Sequence, residues 1–365
     1  MAERGSTGHS PIASGELDEP RRLTSRDFDY PFDEKLIAQR PLPDRDASRL
    51  LVVRRAEGAL ADRVFTDLPD LMSPGDVLVL NDTRVFPARL VGRKPTGAAA
   101  EILLIEPLDA EGRRWRAMVR PGGKLKPGRR VEVGEALRVE IEDSTEAGGR
   151  IVRLVTDLPI PTALERYGHV PLPPYVRRPD DETDRARYQT IYADESGSVA
   201  APTAGLHFTR PVLDAIEARG VDVARLTLHV GPGTFRPVEC EDPAEHELEA
   251  ERYRVTEAAA ERINDARRRG GAVWAAGTTS VRMLETVARP DGTVVATAGK
   301  TDLFIRPGYR FRTVDRLITN FHLPRSTLLM LVAAFAGYDL TRTAYRHAVD
   351  RRYRFYSYGD SMVVL

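Results

Sequence analysis

Near residue 158 the sequence changes pattern, and the change divides the chain into two kinds of architecture. From about Pro74 to Asp157, short β-branched runs follow one another: DVLVLN, VFPARLVGRK, EILLIEP, RWRAMVRP, RRVEV, LRVEIED and RIVRLV, separated by Gly, Pro and Asp turns. Strands this short and this closely spaced predict a small barrel or sandwich. After Pro159, helical and extended patterns alternate instead. The spacing predicts helices at Thr162–Tyr167, Pro211–Arg219, Glu257–Arg269, Ser280–Ala288, Thr327–Ala336 and Arg342–Tyr353. Between and after them, ARLTLHV, AVWAAG, DLFIRP, RLITNF and Ser361–Val364 read as strands. Such alternation predicts a layered α/β domain. Ahead of the β-rich block, Asp33 can cap a short helix reaching Ile37, and Arg49–Arg55 reads as a strand. The expected organisation is a discontinuous α/β domain, residues 26–73 and 158–365, interrupted by an inserted β-barrel at 74–157.

Residues 1–25 are rich in Gly, Ser, Pro and charge, so they are expected to form a disordered tail. They contain no apolar stretch of signal-peptide length. The longest apolar run, Leu328 to Ala336, is far shorter than a bilayer span. A cytoplasmic protein without a membrane partner is expected. The chain has 54 basic and 54 acidic residues, so nucleic-acid binding would have to come from a local patch. The best candidate is Arg113–Arg130, RRWRAMVRPGGKLKPGRR, which has eight basic residues and no acid. Lys124, Lys126, Arg129 and Arg130 are its candidate phosphate contacts; a solvated charged face is the competing explanation.

Several loops carry polar groups suited to chemistry. In AVWAAGTTSVRMLETV a buried strand runs into Gly277 and then Thr278, Thr279 and Ser280, which open a helix whose free amides favour an anion. Arg282 in the first turn opposes the helix dipole, which is easier to understand if it clamps an anionic ligand; a capped helix with Arg282 on a solvated face is the competing explanation. VAAPTAGLHF places His207, and LTLHVGPGTF places His229, in Gly/Pro-rich loops at strand ends, where α/β sheets bind ligands. His322 in TNFHLP is a third. TAGKT at Thr297–Thr301 and GPGTF at Gly231 resemble nucleotide loops, but neither has the required glycine spacing.

Taken together, NDTRVFPARL, GHVPLPPYVRRPD, RYQTIYA, VAAPTAGLHFT, LTLHVGPGTFRPV, AGTTSVRMLE, DLFIRPGYRF, TNFHLPRSTLLMLVAAFAGY and YRFYSYGDSM resemble the S-adenosylmethionine:tRNA ribosyltransferase-isomerase family of queuosine biosynthesis. The resemblance covers the chain from about Asp27 onward. It implies an α/β domain interrupted by a β-barrel. It also implies transfer of the ribosyl group of S-adenosylmethionine to 7-aminomethyl-7-deazaguanine at a tRNA wobble position, giving epoxyqueuosine with loss of adenine and methionine. S-adenosylmethionine would be a ribosyl-donor substrate, tRNA the partner, and no metal or obligate protein partner is implied. Since Cys240 is the one cysteine, no cluster-based radical chemistry is expected.

That reaction needs a general base, a proton for departing adenine and a site for the methionine carboxylate. His207 and His229 are expected to move protons, and Thr278, Thr279, Ser280 and Arg282 to take the carboxylate. Asp82, Arg84, Asn320, His322 and Asp360 are further candidates for substrate contacts. The family usually has Met-His-x-Glu where this chain has Leu248-Glu249-Ala250-Glu251. Glu251 is retained and counted with the catalytic candidates, whereas the histidine position is Glu249. Two alternatives are a member acting on another nucleoside or amine acceptor, and a non-catalytic RNA-binding protein.

Overall fold

The computed structural model describes residues 23–145, 148–235 and 237–365. Its larger unit is a nine-stranded sheet. The order is Thr297–Thr301, Glu251–Val255, Asp222–Leu228, Val77–Asn81, Val273–Ala276, Arg316–Asn320, Ser361–Val364, Arg49–Arg54 and Ala59–Val64. Asp222–Leu228, Val77–Asn81, Val273–Ala276 and Arg316–Asn320 run parallel to one another. Strands covered on both faces need apolar side chains on both, so VLVL and VWAA are continuous apolar runs without alternation. Val77, Val79 and Ala275 face a core shared with Met283, Met330 and Ile263. Leu78, Leu80 and Trp274 face the opposite core, with Phe65, Phe208 and Ile216.

Local capping explains where the helices begin and end. Thr256 caps Glu257–Arg268, Thr209 caps Arg210–Ala218, and Ser326 caps Thr327–Ala336, each by accepting a backbone N–H. Thr327–Ala336 matches the expected bounds, whereas the final helix is Tyr338–Asp350 and not the expected Arg342–Tyr353. Ser361–Val364 also falls as expected.

The smaller unit is a closed barrel. Arg89–Arg93, Ala99–Pro107, Arg114–Arg120, Arg150–Val155, Leu137–Ser144 and Arg130–Gly134 pair in that order, and Arg93 pairs with Glu132 to close the ring. Closure depends on Gly92. A Cβ there would lie 2.4 Å from the Glu132 carbonyl oxygen, so only glycine lets first and last strands meet. Leu90, Ile102, Leu104, Val139, Ile141 and Val152 fill the interior.

Three expectations are corrected. DVLVLN, assigned to the insert from residue 74, is instead a central strand of the large sheet, and the barrel begins at Arg89. Its apolar run on both faces suits a sheet buried between two layers, and a barrel strand needs one face for solvent. The tail expected over 1–25 lies outside the described residues up to 22, but Ser25 is already anchored, its N–H donating to Glu241 O at 2.9 Å. DLFIRP is not a strand; TAGKT is, pairing with Glu251–Val255. The Leu303 carbonyl of DLFIRP accepts from Arg282 rather than from a neighbouring strand, and Pro307 has no N–H to offer. Among the described residues, no helix is long and apolar enough to cross a membrane.

Candidate active site

Four parallel strands deliver the polar loops to one edge. Asn81, Leu228, Ala276 and Asn320 are the C-terminal residues of those strands, where a parallel sheet presents its ligand-binding crevice. The Asn81 side chain ties the loops together. Its Nδ2 donates to Leu228 O (3.0 Å) and Thr279 Oγ1 (3.2 Å), and its Oδ1 accepts from the N–H of Leu228 (3.0 Å) and Thr83 (3.2 Å). The cleft beyond this edge is lined by His229, Val230, Thr234, Glu251, Arg252 and Leu328, with Glu106 and Arg116 contributed by the barrel. It continues past Val230, Thr234 and Leu328 to Thr278, Thr279, Asn320 and His322.

His229 is the best-defined titratable group in the cleft. Its Nδ1 lies 2.9 Å from Thr83 Oγ1, which also lies 2.8 Å from Ser198 Oγ and 3.4 Å from Glu195 O. Ser198 Oγ in turn accepts from Val230 N–H at 2.7 Å. Gly197 lies against the imidazole, where a Cβ would stand 2.7 Å from Nδ1. Burial lowers the pKa of His229 to about 4, helped by neighbouring Arg252, so the ring is neutral near pH 7.

Glu251 and Arg282 form an ion pair with both side chains less than a tenth exposed. Glu251 Oε1 also accepts the Gly231 N–H at 2.8 Å, fixing the loop that follows His229. Arg282 donates further to Leu303 O (2.9 Å) and Thr301 O (3.3 Å).

The chain matches the family described as "Queuosine biosynthesis protein" over residues 25–364. It belongs to that family. Among its relatives, a protein of Symbiobacterium thermophilum named S-adenosylmethionine:tRNA ribosyltransferase-isomerase is 55% identical over 341 residues, covering 93% of this chain and 99% of the relative. One of the same name from Syntrophomonas wolfei is 51% identical, covering 94% and 97%. The crystal structure of S-adenosylmethionine tRNA ribosyltransferase from Thermotoga maritima matches with a TM-score of 0.54 at 39% identity, covering 93% of this chain and all of that one.

In this member of the queuosine biosynthesis protein family, the expected site residues divide into two groups. His229, Glu251, Thr278, Thr279, Arg282, Asn320 and His322 line the one cleft. Arg282, however, is not an open anion clamp; the anion it holds is Glu251. Ser280 is fully buried and its Oγ donates to Ala276 O at 2.8 Å, so it faces the core. The turn does keep an uncapped helix start, because Gly277 as N-cap has no side chain to satisfy the first amides. Burial lowers the pKa of His322 to about 3, and its Nε2 lies 2.7 Å from Thr319 Oγ1. The Asn320 Nδ2 donates to Tyr356 O at 3.0 Å, and its side chain also interacts with that of His207.

His207 does not join His229. It lines a separate small pocket, its Nδ1 2.8 Å from Ser48 Oγ and its ring against Phe65, and burial lowers its pKa to about 4. Asp360 is an internal anchor, accepting from the Arg49 side chain and the N–H groups of Arg49 and Arg354. Asp82 accepts from Thr227 Oγ1 at 2.7 Å. Neither carboxylate lines the cleft. Arg84 lines a third cavity beside the cleft, and its Nη2 donates to Ala193 O at 3.0 Å.

The basic run is divided too. Arg114 and Arg116 pair with Glu142 and Glu106, whereas Lys124, Lys126, Arg129 and Arg130 are exposed at the opposite end of the barrel strand, Arg130 lying 3.5 Å from Glu132. Glu249 pairs with Arg116 at 3.5 Å, joining barrel to sheet edge. Sequence reasoning missed Asn81, Thr83, Gly197 and Ser198. The first two lie in NDTRVFPARL, but nothing local distinguishes a hydroxyl that orients a histidine from one that caps a turn.

Proposed function

We propose that this chain is an S-adenosylmethionine:tRNA ribosyltransferase-isomerase acting in queuosine biosynthesis, with S-adenosylmethionine as ribosyl donor and tRNA bearing 7-aminomethyl-7-deazaguanine as acceptor. Near-complete alignment with relatives of that name supports the activity. The observation that carries the mechanism is a neutral, oriented His229 in a cleft lined by the family's motifs.

His229 is the general base. The hydrogen-bond arrangement that gives every donor an acceptor has Thr83 donating to Glu195 O and accepting from His229 Nδ1–H and Ser198 Oγ–H. That leaves the Nε2 lone pair for the substrate. The sulfonium acidifies the adjacent ribose carbon, and Nε2 takes its proton. The freed pair opens the ring C–O bond to give a vinyl sulfonium, adenine departs with the glycosidic electron pair and acquires a proton, and the ring oxygen is left as an aldehyde on the carbon adenine leaves. The aminomethyl nitrogen adds to the vinyl sulfonium and loses a proton, the regenerated ylide carbon bonds to the aldehyde carbon and closes a five-carbon ring, and the resulting alkoxide displaces methionine with the C–S pair to form the epoxide. The amides of Thr278 and Thr279 receive the methionine carboxylate at the uncapped helix start. Arg282 acts indirectly, by holding Glu251 and hence the Gly231 loop.

Incubation with S-adenosylmethionine and precursor-modified tRNA should release adenine and methionine in equal amounts and add the ribosyl mass to the tRNA. S-adenosylhomocysteine as the main product would mean methyl transfer and reject the proposal.

A further inference from the structure

Beside the cleft lies a larger cavity of about 520 Å³, between the barrel rim and the segment that returns from the barrel to the sheet. Phe86 and Trp115 form an aromatic wall there, their centroids 5.3 Å apart and their planes tilted by 34°. The Trp115 indole N–H is already used, donating to Gly112 O at 2.5 Å, so the ring meets a ligand as a stacking surface. Gly197 lines both this cavity and the His229 cleft, and it lies against the His229 imidazole. A flat ring in the cavity therefore has its nearest path to the base catalyst across a residue with no side chain.

We propose that this cavity receives the acceptor nucleobase, flipped out of the anticodon loop and stacked against Trp115 and Phe86, with its aminomethyl group directed over Gly197 toward His229. The inference rests on the activity proposed above. Two subsites are chemically necessary, because donor and acceptor must be present together before the nitrogen–ribose bond can form. The cavity is of the size ordinary for a bound organic ring. A base that reacts on its substituent has to leave the stack, and aromatic walls replace the stacking it loses. The shared chemistry is a purine-like ring, and the adenine of the donor is the rival occupant. The cavity is assigned to the acceptor because the helix start of Thr278 and Thr279, read above as the donor's carboxylate site, lies in the cleft and not in the cavity.

Trp115, 7% exposed, lines the cavity, whereas the other tryptophan, Trp274, is 1% exposed, does not line it and donates to Asp76, so the assignment is directly measurable. Free 7-aminomethyl-7-deazaguanine should quench the fluorescence of the unmodified protein, and Trp115→Phe, which keeps an aromatic ring, should abolish the quenching. Ala110→Phe at the exposed cavity mouth, distant from His229 in sequence and on another wall, should weaken binding of that base while calorimetry shows unchanged S-adenosylmethionine affinity. Loss of one stacking surface corresponds to about fivefold to 150-fold. Quenching of Trp115 by S-adenosylmethionine rather than by the free base would assign the cavity to the donor and overturn the proposal. So would binding of the base without a Trp115 signal in a protein that still releases adenine. Failure to release adenine from modified tRNA, with the unaltered protein, would instead reject the activity itself.

Discussion

The Arg282 guanidinium and the Glu251 carboxylate neutralise each other inside the fold, and the second Glu251 oxygen holds the Gly231 N–H. A buried cation at the fifth position of the helix Thr278–Val287 is thus balanced by the protein's own anion. Removing one member leaves the other charged and buried.

The first prediction follows from that pair. Arg282→Ala should destabilise the protein by about 3–5 kcal/mol, the usual cost of an uncompensated buried charge. An Arg282→Met, Glu251→Leu double variant should recover much of the loss. Chemical denaturation of the singles and the double checks this as a thermodynamic cycle. Weakened S-adenosylmethionine binding without loss of stability in Arg282→Ala would identify a ligand clamp and refute the internal pairing.

His229→Asn should lower kcat by about a hundredfold to ten-thousandfold, the range expected for loss of a general base. Thr83→Val should also lower kcat, by less, and leave the KM for S-adenosylmethionine nearly unchanged, because the imidazole is present but no longer oriented. Thr83→Ser keeps the hydroxyl and should restore most of the rate. Equal kcat in Thr83→Val and the unaltered protein would remove Thr83 from the mechanism.

Stability should fall with acidification before most carboxylates titrate. His207 and His229 have pKa values near 4 and His322 near 3, all depressed by burial from 6.5. The unfolded chain therefore binds protons first as pH falls, so stability present above 6.5 is lost progressively toward pH 4. Each histidine contributes a slope of about 1.4 kcal/mol per pH unit in that window. Unfolding midpoints measured from pH 8 to pH 4 should show it, and His322→Gln should make the curve shallower. The rate profile should lack an acid limb at 6.5, since His229 stays neutral there.

The exposed barrel loop yields a salt-dependence prediction. Leu125 is fully buried in the barrel end, and Arg150 donates to Leu125 O and Gly122 O, so the loop is held in place. Replacing Lys124, Lys126, Arg129 and Arg130 with Gln should weaken tRNA binding and flatten the log–log salt slope by about 0.7–0.9 for each phosphate no longer neutralised. Arg130 shares its charge with Glu132, so the loop should neutralise about three phosphates. An identical slope in the variant would take the loop off the RNA surface.

Periodicity, caps and turns were enough to place most elements and to separate the β-rich block from the α/β part. These are short-range properties: Ser326 caps its helix through a residue three positions away, and any fold that keeps the helix keeps the cap. The order of motifs was likewise enough to place the chain in its family. Which loops meet was decided by tertiary structure alone. His207 and His229 look equivalent in sequence, each in a Gly/Pro-rich loop, yet only His229 follows one of the parallel strands that open on the cleft. Its partner Thr83 is 146 positions away, and Arg282 finds its anion 31 positions away. The strand Val77–Asn81 has the apolar run of a doubly covered sheet, but its place in the large sheet depends on pairing with Asp222–Leu228 and Val273–Ala276. Those pairings bury both its faces at once, a cooperative gain that no local window of sequence contains.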